Sequence, residues 1–447
     1  MRLTVLGGGG FRVPLIYRQL LTQEPGPDVR DVVLHDLDEG RLAAVHAVLE
    51  QMAADRPDAP KVRTTTDLDE ALDGADFVFS AIRVAGLAGR TVDERVALDL
   101  GVLGQETTGP GGLAYALRTI PVCLDLADRV ARRAPNAWVI NFTNPAGMVT
   151  EAMRRRLGDR VIGICDSPIG LGERAARALG LDVARVTMDY VGLNHLGWLR
   201  GLRVDGVDRL PDLLADDAAL GRVEEARLLG PDWVRSLGAI PNEYLYYYYF
   251  NREAVASIRE APATRGEFLR QQQEGFYAAV ARRPGAALEI WTRTRAERDS
   301  TYMAESRDSA GAGERRQEDV AGGGYQRVAL DLMAGISGGR ASTMILNVRN
   351  GSAVPGLPAD AVVEVPCVVD AAGARPIATE PLEGSMLGLV QQVKAVEQLG
   401  IEAAASGSAA AAVKALALHP LVDSVHTARQ LLAGYRERLP GLADLLR

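Results

Sequence analysis

The chain has 447 residues, of which 47% are hydrophobic and 24% charged. This is ordinary soluble globular usage and too long for one compact core, so two domains are expected. A formal charge of −8 argues against a general nucleic-acid binder, which would carry a basic stripe, and no stretch reads as a membrane span or signal peptide, so a cytoplasmic location is expected.

In chain order, Arg2 to Leu6 is a short apolar run of strand length, Gly7 to Gly10 a turn, and Val13 to Leu21 carries helical apolar spacing. Val32 to Leu34 makes a second buried strand ending at His35-Asp36. Further strands are expected at Lys61 to Thr65, Phe77 to Ala81, Trp138 to Asn141 and Val161 to Ile164, separated by helices such as Gly40 to Met52 and Ala114 to Arg133. Strands alternating with helices predict an α/β fold whose N-terminal part, residues 1–170, is a Rossmann-like doubly wound parallel sheet. Beyond residue 170 helical stretches dominate from Pro211 to Arg282. Ala341 to Asn350 and Ala361 to Val369 read as strands, and Met386 to Leu416 as one or two helices. Residues 171–447 are therefore expected to form an α+β substrate and metal-site domain. Ser306 to Gly324 lacks apolar periodicity and reads as a loop.

The glycine turn allows close approach to a pyrophosphate, and the helix after it directs its first amides at negative charge. Gly7, Gly9 and Gly10 are the candidate cofactor glycines. With Gly7 and Gly9 as the first two of the usual three, Arg12 falls where the third belongs, so helix packing must be achieved differently. Asp36 lies where a ribose hydroxyl would be read and favours NAD over its 2′-phosphorylated form, whose phosphate a carboxylate would repel.

The cysteines, Cys123, Cys165 and Cys367, are odd in number and far apart, which speaks against a disulfide scaffold. Cys165 follows a predicted strand at the carboxyl end where open α/β sheets place ligands, and His195 lies in a short polar turn between apolar runs. Taken singly, each would more often be a core thiol or a satisfied histidine. Together they are too few for a closed structural zinc site but suit a catalytic metal with open positions. Tyr244 opens an aromatic run to Phe250 that cannot all face the core of a helix. Most of the run is expected to be packing or an oligomer interface, but one phenol can serve as a base if a metal or arginine lowers its pKa.

These residues, with Ala81-Ile-Arg83-Val, Asp93-Glu-Arg, Gly104-Gln-Glu-Thr-Thr-Gly-Pro-Gly-Gly112, Asn141-Phe-Thr-Asn144-Pro, Gly163-Ile-Cys165-Asp-Ser-Pro168, Gly192-Leu-Asn-His195 and Gly322-Gly-Gly-Tyr325, make a pattern that resembles glycoside hydrolase family 4, the NAD- and divalent-metal-dependent glycosidases, over nearly the whole chain. The 6-phospho-β-glucosidases are the nearest type. The resemblance implies hydride removal from sugar carbon 3 by NAD⁺, proton removal from carbon 2 by Tyr244, elimination of the group on carbon 1, addition of water and return of the hydride. This route lies outside the two-carboxylate mechanism. It further implies that Cys165 and His195 hold Mn²⁺ or a similar ion, that Asn144 lies between nicotinamide and sugar, and that Asn194 contacts substrate. Arg83 is the leading candidate for a sugar 6-phosphate, with Arg12 and Arg90 behind it. Asp166 departs toward the 6-phospho-α-glucosidase pattern, whereas Phe11-Arg12-Val13-Pro14 and the tyrosine run look β-type. Asp166 reads as a general acid for the leaving group or as a partner orienting the metal site. The turn Gly10-Phe11-Arg12 also lacks the serine common there in the family. The resemblance and the aromatic run together suggest a homodimer or homotetramer.

Two rivals share the scaffold. A lactate- or malate-type dehydrogenase needs a catalytic histidine paired with aspartate, and a non-catalytic NAD-dependent sensor has no need of a metal and a base.

Overall fold

The structure, a computed structural model, describes residues 1–447 apart from 24–25, 317–318, 320–323, 340 and 447. Thirteen strands among the described residues join in one sheet: β1 (Arg2–Leu6), β2 (Asp31–His35), β3 (Lys61–Thr65), β4 (Phe77–Ser80), β5 (Trp138–Asn141), β6 (Val161–Gly163), β7 (Thr187–Leu193), β8 (Leu196–Val204), β9 (Val207–Asp208), β10 (Ile240–Pro241), β11 (Ser342–Arg349), β12 (Val362–Asp370) and β13 (Gly373–Pro376). From one edge the order is β3-β2-β1-β4-β5-β6, all parallel, the doubly wound arrangement that binds dinucleotides at its β1/β4 switch point. The sheet then continues without a break through β11, β12, β7, β8 and β10, each antiparallel to the one before.

Strand alternation divides the core between two faces. Leu3, Val5, Phe77 and Phe79 point to one side and join Val363, Val365 and Cys367 of β12, while Leu6 and Val78 meet Leu113 and Ile120 of the long helix Gly109–Arg133 on the other. Burial on both faces explains why these strands read as continuous apolar runs. The free thiols Cys123 and Cys367 are part of this core, and burial pushes each up to about 12.

The second half differs from expectation in three places. The apolar runs flanking Asn194-His195 are strands β7 and β8, paired as a hairpin with Leu193 opposite Leu196. The helical stretch from Pro211 to Arg282 is broken by β10, which pairs with β8 through Ile240 and Pro241. The expected loop from Ser306 begins inside a helix, Ala304–Ser309; part of it, with two glycines of the Gly322-to-Tyr325 motif, lies outside the described residues. The tyrosine run is not an exposed face. Tyr246 and Tyr247 are buried, Tyr244, Tyr248 and Tyr249 half-buried, and all pack into the core beside β8. Met386 to Leu416 forms two helices, Gly384–Ser406 and Ala409–Leu418, separated by Gly407 at φ +71° with Ser408 capping the second. Among the described residues no helix is long and apolar enough to cross a membrane.

Candidate active site

The carboxyl ends of the strands open into a cavity of about 1270 Å³. Gly7, Gly10, Asp36, Arg83, Arg90, Asn144, Cys165, Asp166, Asn194, His195 and Tyr244 all line it. Gly9 does not. Its N–H donates to Asp36 Oδ2 at 3.0 Å and its carbonyl accepts from Tyr277 at 2.7 Å, so it locks the turn from beneath.

The turn after β1 fits a dinucleotide. Gly7 adopts φ +82°, and a Cβ there would fall 2.6 Å from the Ala81 carbonyl oxygen, while one on Gly8 would lie 2.7 Å from Leu34 Cβ. Gly8 thus lets the turn lie close against β2. The amides of Gly7 and Gly8 donate to the His35 carbonyl and that of Gly10 to Gly7. Among the described residues nothing accepts from the Phe11 and Arg12 amides, which stand at the start of helix Val13–Thr22, where the helix dipole favours negative charge.

Cys165 follows β6 and is 5% exposed; His195 occupies the β7–β8 turn at φ +62° and is 8% exposed. The tautomer of His195 follows from its neighbours. Thr107 spends its only hydroxyl hydrogen on Gln105 Oε1, so its oxygen accepts from His195 Nδ1–H at 2.9 Å and leaves Nε2 with a lone pair. Burial pushes the imidazole down to about 4, against the pull of Glu106 and Asp166, so the ring is neutral, as a metal ligand must be. Burial, then Glu364 and Asp166, pushes the Cys165 thiol well up. A divalent cation reverses that order by stabilising the thiolate. No cluster of three His, Cys, Asp or Glu suited to a metal occurs among the described residues. The donor set is one soft sulfur and one imidazole, which fits an ion completed by oxygens from elsewhere.

Tyr244 follows β10, with Asn242 Oδ1 accepting its backbone N–H at 3.0 Å. Its ring stacks on His195 with centroids 3.7 Å apart and planes 7° apart, and its oxygen accepts from the Tyr302 hydroxyl at 3.1 Å. Burial, then Tyr302 and Glu243, holds the phenol well above its ordinary value. Asp166 Oδ2 accepts from the Tyr325 N–H at 3.3 Å and lies 3.8 Å from Arg12 Nη2. Arg12 sits over the Tyr325 ring at 4.2 Å.

The cationic side of the cavity is arranged differently from the sequence reading. Arg83 Nη1 and Arg90 Nη1 both bind Glu106, at 2.7 and 2.8 Å, and Arg90 Nε also binds Glu94 at 2.7 Å. Burial alone would raise the Glu106 carboxyl, but the two guanidinium groups outweigh it and hold it at about 2. Arg298 also lines the cavity and has no carboxylate partner among the described residues. Burial first, then the charges of Arg12, Arg265 and Arg90, push it down to about 9. Arg298, Tyr302, Thr107 and Glu106 had no assigned role in the sequence reading. The last two lie inside the quoted Gly104-to-Gly112 motif, but Arg298 and Tyr302 carried no local signal because helix packing brings them in from far along the chain.

Family-wide sequence profiles place the chain. Family 4 glycosyl hydrolase matches residues 2–181 and the family 4 glycosyl hydrolase C-terminal domain matches 190–422. The chain is therefore a member of glycosyl hydrolase family 4, an NAD- and metal-dependent class of glycoside hydrolase. It is 34% identical over 446 residues to the probable 6-phospho-beta-glucosidase of Bacillus subtilis (strain 168), covering 97% of this chain and 95% of the other. It is 30% identical to the maltose-6′-phosphate glucosidase of the same organism, covering 96% and 94%. The 6-phospho-beta glucosidase of Thermotoga maritima, solved with manganese, NAD⁺ and glucose-6-phosphate, superposes with a TM-score of 0.81 at 27% identity, covering 98% of each chain.

Proposed function

We propose that this protein hydrolyses 6-phospho-β-glucosides, with NAD⁺ and Mn²⁺ or a similar divalent ion as cofactors. The observation that carries this reading is the single cavity holding the glycine turn, the Cys165/His195 pair, Tyr244 and an arginine cluster whose Arg298 has no carboxylate partner among the described residues.

The amides at Phe11 and Arg12 receive the pyrophosphate, and Asp36 receives a ribose hydroxyl through the carboxylate edge not given to Gly9. Cys165 Sγ and His195 Nε2 hold the ion, and Thr107 fixes the imidazole that presents it. When bound, the cofactors supply hydride acceptance and return at sugar carbon 3 and polarisation of the oxygens at carbons 2 and 3. Tyr244 would take the carbon 2 proton on its phenolic oxygen only after giving up its own proton, a loss that the charge of a divalent ion held by the adjacent His195 would favour against the effect of burial, and Tyr302 donates a hydrogen bond to that same atom. Asn144 and Asn194 line the sugar site. Arg298, with Arg12 and Arg265 beside it, binds the 6-phosphate, a group that relieves the mutual repulsion of these cations. Arg83 and Arg90 stand behind them, already neutralised in part by Glu106. Asp166 is held by Arg12 and the Tyr325 amide, an arrangement that favours orienting the site over delivering a proton to the leaving group.

Asp166 also favours a second reading, the 6-phospho-α-glucosidase, since aspartate after the cysteine is the α-type pattern. Nitrophenol release from α- and β-glucosides, each with and without 6-phosphate, in NAD⁺, Mn²⁺ and reductant, tests both. The β-6-phosphate alone should turn over well. Preference for the α-anomer moves the assignment to the second reading, and preference for a plain glucoside removes the phosphate role.

A further inference from the structure

The parallel and antiparallel halves of the sheet meet along one row of residues. Gly163 of β6 stands opposite Asn347 of β11, Asn347 opposite Glu364 of β12, and Glu364 opposite Gly192 of β7. In ladder register β11 meets β6, and β12 meets β7, at that one residue pair each. At each end of the row the chain runs directly into a metal-site turn, from Gly163 to Cys165 and from Gly192 to His195. The row is closely packed. A Cβ on Gly163 would fall 2.4 Å from Thr150 Oγ1, and one on Gly192 2.2 Å from the Leu196 carbonyl oxygen.

Glu364 lies in the middle of this row, 1% exposed and outside the cavity lining. Its Oε1 accepts from Asn347 Nδ2 at 2.9 Å and from Asn194 Nδ2 at 3.2 Å, and its Oε2 from the Tyr190 hydroxyl at 3.3 Å. Asn194 is the residue before His195 in the hairpin turn, Tyr190 belongs to β7, and Asn347 is the residue of β11 paired to β6. One buried carboxylate therefore grips the His195 turn on one side and the strand that carries the Cys165 end on the other. Ladder pairing holds the two turns against sliding through one residue pair at each joint. A buried acceptor satisfied by three donors, from β7, β11 and the turn after β7, adds to that resistance, because displacement would leave buried polar groups unpaired.

We infer that Glu364 is a positioning residue that sets the separation of Cys165 and His195, and hence the affinity for the divalent ion, through its hydrogen bonds to Asn194 and Asn347 across the seam. The inference rests on the reading that Cys165 and His195 hold that ion.

The test measures Mn²⁺ binding directly, by loss of the free-ion electron paramagnetic resonance signal, on full-length protein saturated with NAD⁺. Cys165→Ser comes first: unchanged Mn²⁺ affinity in that variant removes the ligand reading itself and the inference with it. With Cys165→Ser shown to lose the ion, Glu364→Leu should weaken Mn²⁺ binding about 10- to 100-fold, the usual cost of losing a group that orients a ligand, with NAD⁺ affinity unchanged. Glu364→Gln should stay within about threefold of wild type: its carbonyl oxygen can keep both asparagine amides, and its NH₂ can donate to the Tyr190 oxygen. Wild-type affinity in Glu364→Leu overturns the inference. A Glu364→Gln variant as weak as Glu364→Leu also overturns it, because the carboxylate charge and not the bonding would then be responsible. If Glu364→Leu does not fold, Asn347→Leu is read in its place. A loss of about threefold or more supports the inference, and no loss overturns it.

Discussion

Replacing Glu106 by Gln should change how the protein responds to acid. In the wild type the carboxylate lies 2.7 Å from Arg83 and 2.8 Å from Arg90 with its side chain 17% exposed, and it is held at about 2 against an ordinary 4.5. That difference is worth about 3.4 kcal/mol at about 1.36 kcal/mol per pH unit, an upper bound for a partly hydrated group. The folded-state value lies below the unfolded one. The contribution is therefore complete above about pH 4.5 and is lost as pH falls toward about 2, with about 1.4 kcal/mol gone by about pH 3.5. An unfolding entropy of about 2.1 cal/mol/K per residue gives about 0.9 kcal/mol/K for this chain. Glu106→Gln should then melt up to about 4 °C below wild type near pH 6.5, and the gap should narrow by up to about 1.5 °C near pH 3.5. Scanning calorimetry at the two pH values, without ligands, makes the comparison. A gap of the same size at both would show that Glu106 draws no stability from its charge, and the account of Arg83 and Arg90 as a neutralised pair would fall with it.

Cys165→Ser and His195→Ala should each abolish turnover with the melting profile retained, and chelation should do the same reversibly; full activity of wild type in EDTA would remove the metal from the mechanism. Tyr244→Phe should lower kcat by at least about 10²-fold with NAD⁺ affinity unchanged, whereas a loss confined to KM would make Tyr244 a binding group. Arg298→Ala should raise KM for the phosphorylated glucoside at least about 10-fold, the low end for losing a charge-assisted bond, and leave the plain glucoside unaffected; a larger effect from Arg83→Ala would return the phosphate to Arg83. NAD⁺ should be needed only in catalytic amounts, and steady accumulation of NADH during cleavage would show that the hydride is not returned within each turnover.

The sequence determined the parallel half of the fold because most of its strands are buried on both faces and its helices alternate with them, so they could be read from local runs such as Leu3 to Leu6 and Trp138 to Asn141, while the exposed edge strand β3 was marked by its β-branched Val62, Thr64 and Thr65. It also marked Gly7 to Gly10, Asp36, Cys165, His195 and Tyr244, each of which sits in a short distinctive motif, and the folded chain brings all of them except Gly8 and Gly9 into the lining of one cavity. Local pattern failed at β7 and β8, where partly buried residues such as Arg200 and Asp189 interrupt the apolar runs and the pairing is made by a turn with His195 in the left-handed region. It failed also wherever a residue's role depends on its partners. Arg83 and Arg298 look alike as letters, yet only the packing of helix Ala287–Ser300 against the site shows that one is paired with Glu106 and the other faces three cations. Charge compensation is a property of distances between remote segments, and those distances exist only once the tertiary structure has formed.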